Sequence, residues 1–272
     1  MLESAQMTVT WLGEHREENG NLNFRIGRAG SDLVAEWAGH CTLRANRSGT
    51  SFDLTPAPDA NPELIAKLHK GLARALVRHL QGKLTLHASA VSIRGRLVAC
   101  FGESETGKST TVAHLAQRPG VVFFADDTAA IEFCAKAVEV VPSETMSWLL
   151  PAAHAALGFG ETTRKTAVPH AQVATQSEPL VALFHLAFDD RLPGPRVRRL
   201  HGQEALSRLL RAAVRFIIDE PAAQLQEFEQ LQAVIRAVPV FELARPRGLA
   251  ALAACGDSIV RILDGIHGGD AP

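Results

Sequence analysis

Leu97-Val98-Ala99-Cys100-Phe101-Gly102-Glu103-Ser104-Glu105-Thr106-Gly107-Lys108-Ser109-Thr110 is the stretch that decides how this 272-residue chain reads. Five apolar residues run without a break into Gly-x-x-x-x-Gly-Lys-Ser, and a helical pattern follows. Strand, glycine-rich loop and helix in that order are the setting in which backbone amides surround the phosphates of a nucleotide. Lys108 would reach the β and γ oxygens, and the Ser109 hydroxyl would ligate Mg²⁺. The residues expected to bind are Gly102, Glu103, Ser104, Glu105, Thr106, Gly107, Lys108, Ser109 and Thr110.

Composition narrows the classes. The length supports one large domain, or one large and one small. A net charge of −1 and a pI near 6.8 give no electrostatic reason to expect nucleic-acid binding. Cys41, Cys100, Cys134 and Cys255 are scattered without metal-site spacing and read as reduced core residues. Ten histidines, His15, His40, His69, His79, His114, His154, His170, His185, His201 and His267, form no metal-binding pattern. The start, Met1-Leu2-Glu3-Ser4-Ala5-Gln6, lacks the order of a signal peptide, and no apolar run nears the roughly 20 residues of a membrane helix. A cytoplasmic chain without membrane partners is expected.

Short β-like runs at Leu22 to Ile26, Leu33 to Trp37, Cys41 to Arg44 and Ser51 to Leu54, separated by turn clusters, predict a small antiparallel sheet. Asn61 caps a helix with Pro62 first, an apolar stripe of Leu64, Ile65, Leu68, Leu72, Leu76 and Leu80, and an end at Gly82. Its outer face carries Lys67, Lys70, Arg74 and Arg78, either a solvated face or a dock for an acidic partner. From Lys83 strands alternate with helices, which favours an α/β core. Strands are expected at 84 to 93, 96 to 101, 121 to 125, 129 to 133, 137 to 141, 180 to 188 and 239 to 243. Helices are expected at 108 to 117, 203 to 213, 221 to 236 and 247 to 264, and the proline- and glycine-bearing 142 to 179 reads as loop-rich. The expected domains are therefore 1–82, a small β-rich subdomain plus helix, and 83–272, the catalytic domain.

Gly95 can close a two-residue hairpin in which Ile93 faces Arg96. That register sets His87 opposite Gly102, at the mouth of the loop, on a face shared with Thr85 and Ser89. There a histidine could orient phosphate oxygens or tune a nearby carboxylate. Val121 to Ala125 is an apolar run of the kind a buried parallel strand requires, and it ends in Asp126-Asp127, where ligands bind in open α/β sheets. One carboxylate could hold Mg²⁺ through water while the other takes the proton of an attacking hydroxyl.

The sequence Leu86-His87-Ala88-Ser89-Ala90-Val91, the loop Gly102 to Thr110 and Ala125-Asp126-Asp127 together resemble the C-terminal domain of bacterial HPr kinase/phosphorylase and its HPr-kinase-like relatives. His87 precedes Lys108 by 21 residues and Asp126 follows it by 18, as the matching family groups do. Arg198-Arg199-Leu200, Gln203 to Leu206 and Val238 to Leu243 are weaker likenesses. The resemblance covers about 83 to 265. It implies an α/β P-loop kinase core of the HPr-kinase/PEP-carboxykinase type after a small N-terminal α+β subdomain, with ATP and Mg²⁺ as cofactors. The implied activity is phosphorylation of a serine hydroxyl on a protein or peptide. Under it Asp126 is the general base, Lys108 the phosphate-binding lysine, Ser109 a metal ligand, His87 the active-site histidine and Asp127 a metal-shell group.

Glu105 stands where the family loop carries glycine, adding bulk and charge beside the phosphates. The family's metal-binding glutamate has Glu144 or Glu139 as its nearest candidates. The basic loop used for phosphorolysis has only Arg191 as a loose substitute, which argues for a kinase without phosphorylase activity. The first 80 residues are unlike the family's own N-terminal domain, and the compact design is similar to kinases that tailor lasso-type precursor peptides. Self-association stays open. The alternatives are a kinase acting on a sugar or metabolite hydroxyl, and a nucleotide-binding regulator without turnover.

Overall fold

The computed structural model describes residues 8–216 and 220–266. His267 and the stretch Met1 to Gln6 lie outside the described residues. The chain is a mixed α/β protein with strand-rich sheets, and it divides into two compact units: Met1–Lys83 with Arg215–Gln226, and Leu84–Val214 with Glu227–Pro272. The expectation of a single cut at 82/83 did not include the return of 215–226 to the first unit.

The first unit is a five-stranded antiparallel meander: β1 (Thr10–Arg16), β2 (Leu22–Ala29), β3 (Asp32–Trp37), β4 (Cys41–Ala45) and β5 (Phe52–Pro56), in that spatial order. Turn residues between the runs set hairpins, and alternate apolar residues such as Ile26, Leu33, Ala35, Leu43 and Trp37 pack into one cluster with Leu68, Leu76 and Val77. The helix opens as the sequence requires. Asn61 Oδ1 accepts the amides of Glu63 and Leu64, and Pro62 begins α1 (Pro62–Leu68). One π-helical turn at His69–Ala73 then leads into α2 (Arg74–Leu80).

The second unit is built on a nine-stranded sheet. Its strands are β6 (Thr85–Leu86), β7 (Ala88–Ile93), β8 (Arg96–Phe101), β9 (Val121–Ala125), β10 (Ala129–Phe133), β11 (Val138–Val141), β14 (Glu178–Phe188), β15 (Arg196–Leu200) and β16 (Val240–Arg245); β12 (Met146–Leu149) and β13 (Thr166–Pro169) pair separately. Helices α3 (Lys108–Ala116), α4 (Pro151–Ala156), α5 (Gly202–Ala212), α6 (Pro221–Ala237) and α7 (Leu252–Gly265) complete it, the domain division falling within α6. At the centre β8, β14 and β16 run parallel. One face of the sheet packs Leu97, Ala99, Phe101 and Leu183 against Ala205, Leu209 and Ala212 of α5 and against Leu231 and Val234 of α6. The other packs Val98, Cys100, Phe184 and Leu243 against Val112 and Leu115 of α3 and Cys255, Ile259 and Leu263 of α7.

The β7–β8 hairpin has the expected register, Ile93 opposite Arg96 through Ala88 opposite Phe101. Arg94 and Gly95 both take positive φ, 54° and 75°, the two-residue turn whose twist suits a hairpin. Three expectations need correction. Strand β9 is buried but pairs antiparallel with β7, touching Val173 in parallel at a single bridge; a run buried on both faces looks the same in either direction. Residues 142 to 179 are loop-rich as expected, although β12, α4 and β13 also form there, hidden by prolines that sit at element ends. His87 does not continue a strand, because the chain breaks between β6 and β7 and the His87 amide donates to Ala212 O at 2.6 Å. Cys134 is exposed, unlike the three buried cysteines.

His185 on β14 is only 7% exposed, and burial pushes its imidazole down to about 4. Below the ordinary histidine pKa the unfolded chain binds a proton that the folded chain refuses, so stability rises with pH between about 4 and 6.5 and is level above. The full span corresponds to about 3 kcal/mol. Urea denaturation at pH 7.5 and 4.5 reads this loss, and His185→Gln is expected to remove part of the difference, with His170, which burial also pushes down to about 4, supplying another part.

Candidate active site

Geometry at the loop follows from the strand before it and the helix after it. Gly102 has φ 144°, and a Cβ there would stand 2.8 Å from Leu186 O of the neighbouring β14; glycine alone allows this approach. Gly107, at φ 91°, caps α3, and the first intrahelical bond runs from the Thr111 amide to Gly107 O at 2.8 Å. The amides of Lys108, Ser109 and Thr110 therefore come before any intrahelical partner, at the positive end of the helix dipole. Lys108 is 6% exposed and folds back into the loop, its Nζ donating to Gly102 O at 3.0 Å and Glu103 O at 2.9 Å. Burial pushes its ammonium below the usual lysine range, and the Asp127 and Asp126 carboxylates pull it back up.

Behind the loop stands Arg245, which sequence reasoning missed. It is 4% exposed, donates to Gly248 O at 2.8 Å and Thr106 O at 3.3 Å, and stacks its guanidinium on the Phe188 ring at 4.7 Å. A single arginine at a strand end carries no signal in the sequence. Thr106 Oγ1 in turn donates to Glu103 O at 2.8 Å, so the loop is held from within as well.

Asp126 and Asp127 differ sharply. Asp126 is 1% exposed. Its Oδ1 accepts the Ser89 hydroxyl at 2.6 Å, its Oδ2 accepts the Trp148 amide at 2.9 Å, and the Ser109 hydroxyl, a potential donor, lies close enough to favour its charged form. Burial pushes its carboxyl up, and those three donors oppose the shift. Asp127 sits in the left-handed region at φ 69°, with a side chain 34% exposed whose Oδ1 lies 3.3 Å from His87 Nε2. The strained backbone turns the second carboxylate outward while the first stays inside.

The structure thus brings together His87, Lys108, Ser109, Asp126 and Asp127. Ser89 and the Trp148 amide join them. Ser89 was legible as a small polar residue within an apolar strand, whereas Trp148 acts through its backbone and lies in the stretch expected to be loop. Glu144 is buried at 5% exposure, in a segment fixed on either side by Ser143, whose amide donates to Phe124 O at 3.1 Å, and by Trp148. Glu139 accepts the Ser177 hydroxyl at 2.6 Å in the β11 region. Among the described residues no three His, Cys, Asp or Glu side chains converge as a metal cluster.

Glu105 has φ 64° and is exposed. A left-handed conformation costs a non-glycine residue about 1 kcal/mol or more. Glu105→Gly is expected to stabilise the chain by about 1 kcal/mol in urea melts, and to tighten nucleotide binding by removing a negative charge from the loop.

No protein-family model matches the chain, and no curated protein matches it in sequence. In structure it is similar to the Hpr(Ser) kinase/phosphatase from Coxiella burnetii, at 15% identity and a TM-score of 0.37, over 67% of this chain and 99% of that one. At a TM-score of this size two chains need not share a detailed fold. Among the described residues no helix is long and apolar enough to cross a membrane.

Proposed function

We propose that the second unit is a P-loop kinase core of the HPr-kinase type and that the chain transfers the γ-phosphoryl group of ATP to a serine hydroxyl of a protein or peptide. The observation that carries this reading is the His87–Asp127 pair, 3.3 Å apart, beside a glycine-rich loop whose lysine is buried and a sequestered Asp126 bonded to Ser89 and the Trp148 amide. The residues fit the groups: amides of the loop and of the α3 start, with Lys108, for the phosphates; Ser109, beside Asp126, and Glu144 for Mg²⁺. When bound, the cation neutralises charge on the bridging phosphate oxygens.

The chain's own residues supply position and a proton acceptor. Asp126, expected from the resemblance to be the base, is buried with its oxygens occupied by the Ser89 hydroxyl and the Trp148 amide. The Asp127 side chain is a third exposed, so we assign it the proton of the attacking hydroxyl and assign Asp126 the orientation of Ser109. The acceptor oxygen forms the new bond to phosphorus, the bond to the bridging oxygen of ADP breaks, and the proton passes to Asp127, which His87 holds. Lys108 stabilises charge on the transferred group. Arg191, tied to Asp189 on an exposed turn, is poorly placed to serve a phosphorolytic reverse reaction. A lasso-type precursor peptide is the acceptor we favour, and the cytoplasm the compartment.

Incubation with γ-labelled ATP, Mg²⁺ and either candidate serine peptides or a metabolite mixture tests the assignment. Label on peptide serine is expected. Label on small molecules alone would transfer the reading to a metabolite kinase, and binding without transfer would make the chain a nucleotide sensor.

A further inference from the structure

Phe188 ends β14 and Arg245 ends β16, side by side in parallel register. Strand β14 is also parallel to β8, so these ends lie at the same edge of the sheet as Gly102, where open α/β sheets take ligands. They lie on the other side of β8 from the two carboxylates. On one side come β7 and then β9, which leads into Asp126-Asp127; on the other come β14 and then β16. A nucleoside triphosphate lying across the loop with its γ-phosphate toward Asp127 and His87 therefore carries its base toward Phe188 and Arg245.

The chain presents a flat, fixed group there. The Arg245 guanidinium joins the phosphate loop to the turn after β16, donating to Thr106 O at 3.3 Å, Pro246 O at 3.3 Å and Gly248 O at 2.8 Å. It lies 4.7 Å from the centre of the Phe188 ring, and the Arg247 guanidinium lies over the same ring at the same distance. Arg245 is buried, whereas the Arg247 side chain is 70% exposed. Asp190 fixes Arg247 twice: its Oδ1 accepts the Arg247 amide at 2.8 Å, and its Oδ2 lies 3.3 Å from Arg247 Nε. With a carboxylate already at its edge, this guanidinium is poorly suited to a phosphate. The Phe188 ring covers one face of the plane and the other is open to solvent, and a guanidinium takes aromatic rings on its face.

We infer that Arg247 is the platform on which the base of the nucleotide stacks, held flat by Phe188 and Asp190 and tied to the phosphate loop through Arg245. This subsite rests on the reading of the chain as an ATP-dependent kinase. Every nucleobase has a π-face, so the platform adds affinity for the nucleoside part of the ligand without choosing strongly among bases. Arg247 serves binding alone and takes no part in the transfer.

The test is calorimetric titration of the full chain with ATP and, separately, with inorganic tripolyphosphate, each with Mg²⁺, because the second ligand has the phosphates without the base. ATP is expected to bind more tightly than tripolyphosphate. Arg247→Ala is expected to weaken ATP about tenfold, within the range of one base stack, and to leave tripolyphosphate unchanged, which also shows that the variant is folded. Arg247→Lys keeps the charge but lacks the plane, and should weaken ATP nearly as much. In transfer assays Arg247→Ala should raise the KM for ATP by the same factor with kcat unchanged. The platform is overturned by ATP binding no tighter than tripolyphosphate, by equal loss of both ligands in Arg247→Ala, or by full ATP affinity in either variant. ATP bound through Arg247 without transfer to any acceptor counts against the kinase reading alone. Transfer with an unchanged KM for ATP in Arg247→Ala counts against the platform alone, and a chain that binds neither ligand overturns both.

Discussion

Under the proposed kinase reading, Lys108→Ala is expected to lower phosphoryl transfer by about 10²–10³-fold, the scale set by removing one preorganised donor from a developing charge, and to abolish measurable nucleotide binding in calorimetry. The reason is the position of the ammonium. It is buried against the loop and already bonded to the Gly102 and Glu103 carbonyls, so phosphate oxygens need only replace two neutral acceptors by charged ones. The fold itself should tolerate the change: two carbonyls lose a donor, but a buried charge disappears with it, and the two effects oppose each other. A midpoint in urea close to that of the parent protein checks that the loss is chemical. Because burial depresses the Lys108 ammonium, its proton leaves at a lower pH than an ordinary lysine gives up its own. Transfer by the parent protein should therefore fall on the alkaline side below the usual lysine range, and this limb should vanish in Lys108→Arg, whose guanidinium stays charged.

How far the sequence anticipates these facts depends on whether a feature is local. The hairpin register was readable because a two-residue turn fixes every later pair, down to Ala88 opposite Phe101 and so to the residues on either side of His87 and the loop, even though the strand breaks at His87. The meander was readable through its turn clusters except for β1, whose residues are almost all exposed and so show no alternation; Trp11 there is covered by the Arg25 guanidinium at 3.9 Å instead of by the core. The candidate site divides in the same way. Lys108, Ser109, Asp126 and Asp127 announce themselves by spacing, whereas Arg245 and the Trp148 amide act at long range or through the backbone. The order of the two carboxylates was the least legible point. Adjacent aspartates at a strand end look alike in sequence, and only the φ of 69° at Asp127 together with the bonds to Asp126 separates an inward from an outward group.

Asp127→Asn is expected to lower kcat by about 10²–10⁴-fold, the contribution of a positioned proton acceptor, with little change in the KM for ATP and no loss of stability, since its side chain is a third exposed. Asparagine keeps the shape and can still meet His87, but it cannot hold the proton. Asp126→Asn should behave differently. The Trp148 amide can only donate, so an asparagine must keep its oxygen there and turn its N–H toward the Ser89 hydroxyl, which then has to reorient and find a new acceptor inside the protein, at a cost of about 1 kcal/mol. Ser109 loses its orientation, and the concentration of Mg²⁺ needed for half-maximal rate rises. The contrast is between a kcat defect in a stable protein and a metal-dependence defect in a destabilised one, read by steady-state kinetics over a Mg²⁺ series beside urea melts of each variant. His87→Ala, which removes the ring 3.3 Å from Asp127, should share the kcat defect in weaker form. Should Asp127→Asn keep full transfer while Asp126→Asn loses it at unchanged stability, the proton goes to Asp126, and the sequestered carboxylate must then open before each turnover.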